Sequence, residues 1–224
     1  TDGGRSFLDR QIIVEPEGGE LLHNPLLIAG RQGEVWLFWC RDYGHLYMKK
    51  SMDHGLTFGE AIELTSWVEG FRKYWPVTLW SISPGHGIQT EEGTLVIPIW
   101  LSRGENAHLP ACFGCIYSRD GGESWECSNV IPACGNMGDP TEASIAQCSD
   151  GSLLATMRHE KRGIRKRAFC RANKEKWETP WLNEQIPDPV CSGALLRLRD
   201  NRLAFVNCAN EDKEAINRQA RGEE

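Results

Sequence analysis

No stretch of this 224-residue chain stays apolar for the roughly eighteen residues that a membrane-crossing helix needs, so it carries no segment of that kind. Positive charge is in short supply. With 25 Lys and Arg against 31 Asp and Glu, the net charge is −6, which argues against a nucleic-acid-binding surface. There is no glycine-rich strand-to-helix motif to cradle phosphates, and no long amphipathic helical pattern. Val68–Trp80, with its Tyr74-Trp75-Pro76, reads as a long loop between strands. Cys112-Phe113-Gly114-Cys115 has redox or metal spacing but lacks a second CxxC or a paired His cluster, which argues against zinc. No metal and no cofactor are expected. The nine cysteines are odd in number and scattered. They read as free thiols or small hydrophobes inside apolar strands, not as a disulfide scaffold. No export signal is present, but residue 1 is not a natural start, and the compartment stays open.

What the chain does have is turn chemistry. Its 23 Gly, 11 Pro and 9 Trp, with 40% hydrophobic and 25% charged residues, suit a globular, turn-rich all-β protein of one ordinary domain. Residues 118–125, Ser-Arg-Asp-Gly-Gly-Glu-Ser-Trp, repeat in close spelling as Ser51-Met52-Asp53-His54-Gly55-Leu56-Thr57-Phe58. The chain opens inside a third copy, Asp2-Gly3-Gly4-Arg5-Ser6-Phe7. A degraded fourth runs from Cys170 to Trp177, with Ala172 and Lys174 in place of Asp and Gly. In this unit the Asp caps its own turn, the Gly supplies a positive φ and the hydroxyl bonds the backbone. The ring then opens a strand and packs under the turn. Asp53 and Asp120 are therefore expected to be turn staples and not catalysts.

A second repeat runs out of phase with the first. It appears as Arg31–Phe38, Glu91–Pro98, Ser149–Ala155 and Arg199–Phe205, each a polar turn with Gly or Asn feeding a short apolar run. That pattern predicts a β-turn leading into a buried strand. Successive copies lie about 50 to 60 residues apart, the size of one four-stranded propeller blade. The expected fold is all-β, made of propeller blades that are four-stranded antiparallel sheets.

Together these repeats resemble the sialidase (neuraminidase) superfamily, whose eight-residue turn is the Asp-box or BNR repeat. Two further stretches carry the resemblance. One is Pro84-Gly85-His86-Gly87-Ile88-Gln89, leading to Gly93-Thr94-Leu95-Val96-Ile97-Pro98. The other is Thr141-Glu142-Ala143-Ser144, then Asp150-Gly151-Ser152-Leu153-Leu154 and Arg158, sixteen residues beyond Glu142. The resemblance covers essentially the whole chain. It implies a six-bladed propeller of which this chain supplies about four blades. Residues 1–224 are then expected to be a partial propeller domain, truncated at both ends.

The resemblance further implies a retaining exo-α-sialidase acting on a sialylated glycan or other sialoside. Such a substrate carries a carboxylate on its anomeric carbon, which repels a carboxylate nucleophile, and these enzymes use Tyr instead. A neutral Tyr, with a pKa of about 10, needs a neighbouring base. The resemblance gives that role to Glu142; a solvated strand-end carboxylate is the bland alternative. The substrate carboxylate calls for planar, permanently charged Arg forks. Of the family's three, Arg158 matches the second and Arg218 the third, with Arg221 also in range. The neighbours Lys161, Arg162, Arg165, Lys166 and Arg167 read as a solvated loop. His86 and Gln89 either line the pocket or merely accompany turn-shaping glycines. Trp75, Trp80 and Trp100 read as blade packing before sugar stacking.

The family's first Arg and its general-acid Asp precede the first Asp-box, and its nucleophilic Tyr follows the third Arg. All three are expected outside this chain. None of Tyr43, Tyr47, Tyr74 and Tyr117 stands in the nucleophile's place. Spacing does not support Asp42 or Asp139 as the acid; Asp139 instead shapes the loop before Glu142. Net negative charge disfavours long-range steering of an anionic sugar, so attraction would be local. Two other readings stay open: another glycosidase or lyase-type enzyme on the same scaffold, and a non-catalytic carbohydrate- or protein-binding propeller.

Overall fold

The four turns of the second repeat share one backbone solution. Gly33, Gly93, Gly151 and Asn201 stand at φ of 97°, 90°, 82° and 68°, a region open to Gly and tolerated by Asn. The same backbone bond closes each turn: Gly30 N–H to Glu34 O at 2.7 Å, and Thr90 to Thr94, Cys148 to Ser152 and Leu198 to Arg202 at 2.8 Å each. The computed structural model describes residues 4–106, 108–161 and 166–209. In it each of these turns joins the first and second strands of a sheet.

The first blade is the antiparallel run Leu22–Ala29, Val35–Arg41, His45–Ser51 and Ile62–Glu63. In the second, the inner strand is split into Leu79–Ile82 and Ile88–Gln89, both paired with Leu95–Asn106. Leu109–Ser118 follows, and its outer edge is covered by Glu126–Cys127 and Ile131–Pro132. The third runs Asp139–Gln147, Leu153–Glu160, Lys166–Asn173, with Lys176–Trp177 and Trp181–Pro187 on its outer edge. Ala194–Arg197 and Leu203–Val206 form the opening hairpin of a fourth. The described residues thus hold three whole blades and the start of another.

The core lies between blades. Trp36, Phe38, Cys40, Leu46 and Met48 of the first blade pack on Leu95, Ile97, Ile99 and Leu101 of the second. The opposite face of the second blade, Val96, Phe113, Cys115 and Tyr117, packs on Ala143, Ile145, Ala155, Met157 and Ala168 of the third. A middle blade is covered on both faces, which is why its strands read as continuous apolar runs without alternation. The same geometry settles the CxxC. Cys112 belongs to one interface and Cys115 to the other, because residues three apart on a strand point opposite ways. Both are free thiols.

The Asp-boxes close the turn between third and fourth strands. Ser51 Oγ donates to Asp53 Oδ1 at 2.7 Å, and Asp53 accepts from Thr57 N–H at 2.9 Å and Thr57 Oγ1 at 2.6 Å. Asp120 repeats the set with Ser118 and Ser124. The degraded copy keeps the shape: Lys174 takes φ 55° where Gly stood, and Trp177 is buried edge-on against Phe113 at 5.0 Å. The first copy differs. Phe7 is 90% exposed and covers no turn, while Asp2 and Gly3 lie outside the described residues. The segment read as a long loop also holds more structure than expected. A short helix, Thr65–Val68, and a 3-10 turn, Glu69–Lys73, bury Val68 and Phe71 between the first two blades.

Candidate active site

Prolines mark one end of the inner strands. Pro25 and Pro140 lack an N–H for the ladder, and the register of their strands slips there, between His23 and Leu26 and between Pro140 and Ala143. Pro84 falls where the second blade's inner strand is interrupted. Such bulges re-aim side chains, and here they open a cleft of about 170 Å³ lined by Asn24, Tyr43, Ile82, Pro84, Trp100, His108, Thr141, Glu142 and Arg158. Asn24, at φ 51°, ties the first blade to the second through Nδ2 bonds to Ser81 Oγ at 2.8 Å and Ile82 O at 2.7 Å.

Glu142 and Arg158 reach this cleft by strand periodicity. Ala143 and Ile145, like Ala155 and Met157, face the second blade, so Glu142 and Arg158 point to the other face. There they pair, Arg158 Nη1 to Glu142 Oε2 at 3.2 Å, with the two side chains 25% and 30% exposed. Arg158 Nη2 meets Glu160 Oε1 at 3.0 Å, and Glu160 also holds His108 Nε2 at 3.1 Å. Close packing on Gly138 fixes the end of this row, since a Cβ there would stand 2.4 Å from the Glu160 carbonyl.

Three buried polar atoms lining the cleft have no hydrogen-bond partner: Thr141 Oγ1, Trp100 Nε1 and Arg158 Nε. Buried polar groups are ordinarily satisfied, so these three atoms keep hydrogen-bonding capacity beside the cleft. Trp100, 8% exposed, meets Tyr43 at 6.2 Å and His108 at 5.6 Å, both edge-on. Trp100 therefore packs and lines the cleft at once. Tyr43 and His108 were not singled out from sequence as cleft residues; no spacing rule brings them there, because they lie on different blades. Tyr47 stacks on Trp39, Tyr117 is buried with its hydroxyl pKa pushed up by desolvation, and Tyr74 stands exposed. Asp42 and Asp139 are structural, accepting from Leu21 N–H at 2.9 Å and Ala111 N–H at 2.8 Å.

His86 and Gln89 do not join this group. They line a different cleft, of about 320 Å³, with Arg31, Glu91, Gln147 and Arg197. It lies at the far end of the inner strands, where Ala29 stands five residues beyond Asn24, a separation of roughly 15 Å. Burial lowers the His86 pKa, partly offset by a hydrogen bond to the Ile145 backbone. Arg218 lies outside the described residues.

The basic run after Arg158 is not uniformly a solvated loop. Residues 162–165 lie outside the described residues, but Arg167 is fully buried. Its Nη1 meets Asp188 Oδ2 at 3.2 Å. The strand Lys166–Asn173 carries it inward, under the fourth blade's hairpin.

A match to the BNR repeat-like domain family runs over residues 2–222. The chain is 30% identical over 234 residues to a sialidase of Bacteroides fragilis, covering 91% of this chain and 41% of that protein. It is 27% identical over 197 residues to sialidase-3 of Rattus norvegicus, covering 81% and 45%. Among solved structures, the Hadza microbial sialidase Hz136 aligns with a TM-score of 0.74 at 22% identity, covering 95% of this chain and 46% of that one. The chain thus spans less than half the length of these relatives. Repeated turns, blade-on-blade core and family match agree: the chain belongs to the BNR repeat-like domain family, within the sialidase superfamily.

Proposed function

We propose that this chain contributes the general base and part of the carboxylate-binding Arg cluster of a retaining exo-α-sialidase. The observation that carries the reading is the Glu142–Arg158 pair, 3.2 Å apart in a cleft where the inner strands are bulged. Arg158 offers the substrate carboxylate a charged, planar fork. Arg218 supplies a second. Glu142 takes the phenolic proton of a Tyr as its oxygen attacks the anomeric carbon, and the aglycone leaves with a proton from an acid Asp. Water then releases the sugar from the covalent intermediate by the reverse proton path. In this reading that Tyr, that Asp and one more Arg come from sequence outside residues 1–224. The orphaned Thr141 Oγ1 and Trp100 Nε1 are available to the polar substituents of the sugar. His86 and Gln89, at the far mouth, take no part in the chemistry. The names of the relatives support sialosides as the substrate class.

The test is hydrolysis of a fluorogenic α-sialoside by the full-length protein beside its Glu142→Ala variant. Loss of turnover by about three orders of magnitude or more is the expected result. An active variant would remove Glu142 as the base. An inactive parent would favour a binding propeller or another sugar.

A further inference from the structure

A row of four charges crosses the third blade. Glu142 stands on the inner strand, Arg158 on the second, Arg167 on the third and Asp188 on the connection to the fourth blade. The second and third strands are in register at Met157 and Ala168, and one residue further along Arg158 comes beside Arg167 on the same face. Like charges directly opposite repel. Carboxylates offset that repulsion: Arg158 meets Glu142 and Glu160, and Arg167 meets Asp188.

Arg167 does more than balance Asp188. Its Nε donates to Thr156 Oγ1 at 2.7 Å and its Nη1 to Cys191 O at 2.7 Å. Its Nη2 has no hydrogen-bond partner and faces Gly193, where a Cβ would come within 3.0 Å of it. Asp188 in turn accepts from the N–H groups of Val190 at 2.8 Å and Cys191 at 3.1 Å through Oδ1. Val190 sits at φ 67°, a conformation that a β-branched residue adopts only when its surroundings enforce it. One buried guanidinium thus pins a strained loop, and the Cys191 side chain of that loop lies within electrostatic reach of Arg158. A buried ion pair is a poor way to gain stability, because desolvation offsets the attraction. Its distinctive product here is a fixed geometry.

We propose that Arg167 is a positioning residue for the site. It locks the Asp188–Gly193 loop in place behind Arg158 and so keeps the Arg158 guanidinium turned toward Glu142. The inference rests on the sialidase reading, in which Arg158 binds the substrate carboxylate.

The experiment compares the full-length protein with its Arg167→Lys variant, which keeps the charge but cannot span Thr156, Asp188 and Cys191 at once. Hydrogen exchange of the Val190 and Cys191 amides and steady-state kinetics on a fluorogenic α-sialoside are read together. Exchange at those amides should quicken by about tenfold or more. KM should rise about tenfold with kcat little changed, as expected when ground-state binding of the carboxylate is misaligned. A packing role alone would lower the folded fraction and kcat and leave KM as it was; that result, or unchanged exchange, overturns the proposal. If Arg167→Lys does not fold, Asp188→Asn serves, since Asn keeps an acceptor for the loop amides, and the same rise in KM is required. A wild type without sialoside turnover sinks the sialidase reading and this inference with it. An active wild type and a folded variant of unchanged KM sink this inference alone.

Discussion

Arg158 and Glu142 face each other at 3.2 Å on neighbouring strands, with Glu160 holding the other nitrogen of the same guanidinium at 3.0 Å. A substrate carboxylate that binds Arg158 must therefore compete with two protein carboxylates. In the proposed reading the guanidinium is turned to the cleft before any ligand arrives, and binding of the substrate carboxylate frees Glu142 to act as a base. Arg158→Lys keeps the charge but loses the fork. It should lower kcat/KM by about 10- to 100-fold, chiefly through KM, in line with the ~1.5–3 kcal/mol of charge-assisted hydrogen bonds. Steady-state kinetics on an α-sialoside read this directly.

The Asp-boxes should govern acid stability. Hydrogen bonds from the Thr57 hydroxyl and N–H, then from Ser51, hold the Asp53 carboxyl down at about 2, against about 3.9 in an unfolded chain. Asp120 is depressed by the same device, led by Ser124. A folded pKa below the unfolded one stabilises above about pH 4, and that contribution disappears as the pH falls through about 2. Urea midpoints measured from pH 5 to pH 2 should fall steeply for the parent and less so for an Asp53→Asn, Asp120→Asn variant. Parallel slopes would contradict the assignment.

Thiol reactivity should follow burial. Among the nine free cysteines only Cys208 is exposed. Desolvation pushes Cys170 up to about 12 and Cys127 to about 11, which keeps them as unreactive thiols. An aromatic disulfide reagent at pH 8 should label Cys208 first and reach the buried set only in denaturant. Added zinc should not move the melting temperature, since Cys112 and Cys115 open to different interfaces.

The far mouth should matter for stability and not for turnover. Gln147 of the third blade accepts from Glu91 N–H at 2.8 Å and donates to Glu92 Oε2 at 3.2 Å. Arg31 of the first blade donates to the carbonyls of Glu91 and Thr90, and Arg197 of the fourth meets Glu91 at 2.8 Å. One turn thus ties four blades. Gln147→Leu removes the bonds to Glu91 N–H and Glu92 and should cost about 0.5–1.5 kcal/mol. Chemical denaturation would show that loss, while KM and kcat measured on the surviving folded protein should stay at parent values.

The repeats were legible because their chemistry is local. A Gly or Asn at positive φ, or an Asp with a hydroxyl four residues on, makes the same turn wherever it occurs, and Gly33, Gly93, Gly151 and Asn201 do so. Glu142 and Arg158 were pointed to by resemblance to the sialidase superfamily, and the structure pairs them across one hairpin. Lys174 stands where a Gly would be expected, and the turn survives because the buried Trp177 anchors it.

The sequence alone determined the all-β class, the blade repeat and the turn role of the Asp-boxes, while Glu142 and Arg158 as candidates came from the family resemblance. The first three depend on residues within one turn or one hairpin. Only the tertiary structure decided what crosses between blades. It sent His86 and Gln89 to the opposite mouth from Glu142, brought Tyr43, Trp100 and His108 into the cleft, and buried Arg167 against Asp188. The physical reason is that a charge or a ring has no burial of its own. Arg167 reads as a surface residue until the loop and hairpin that follow it fold back and close over it.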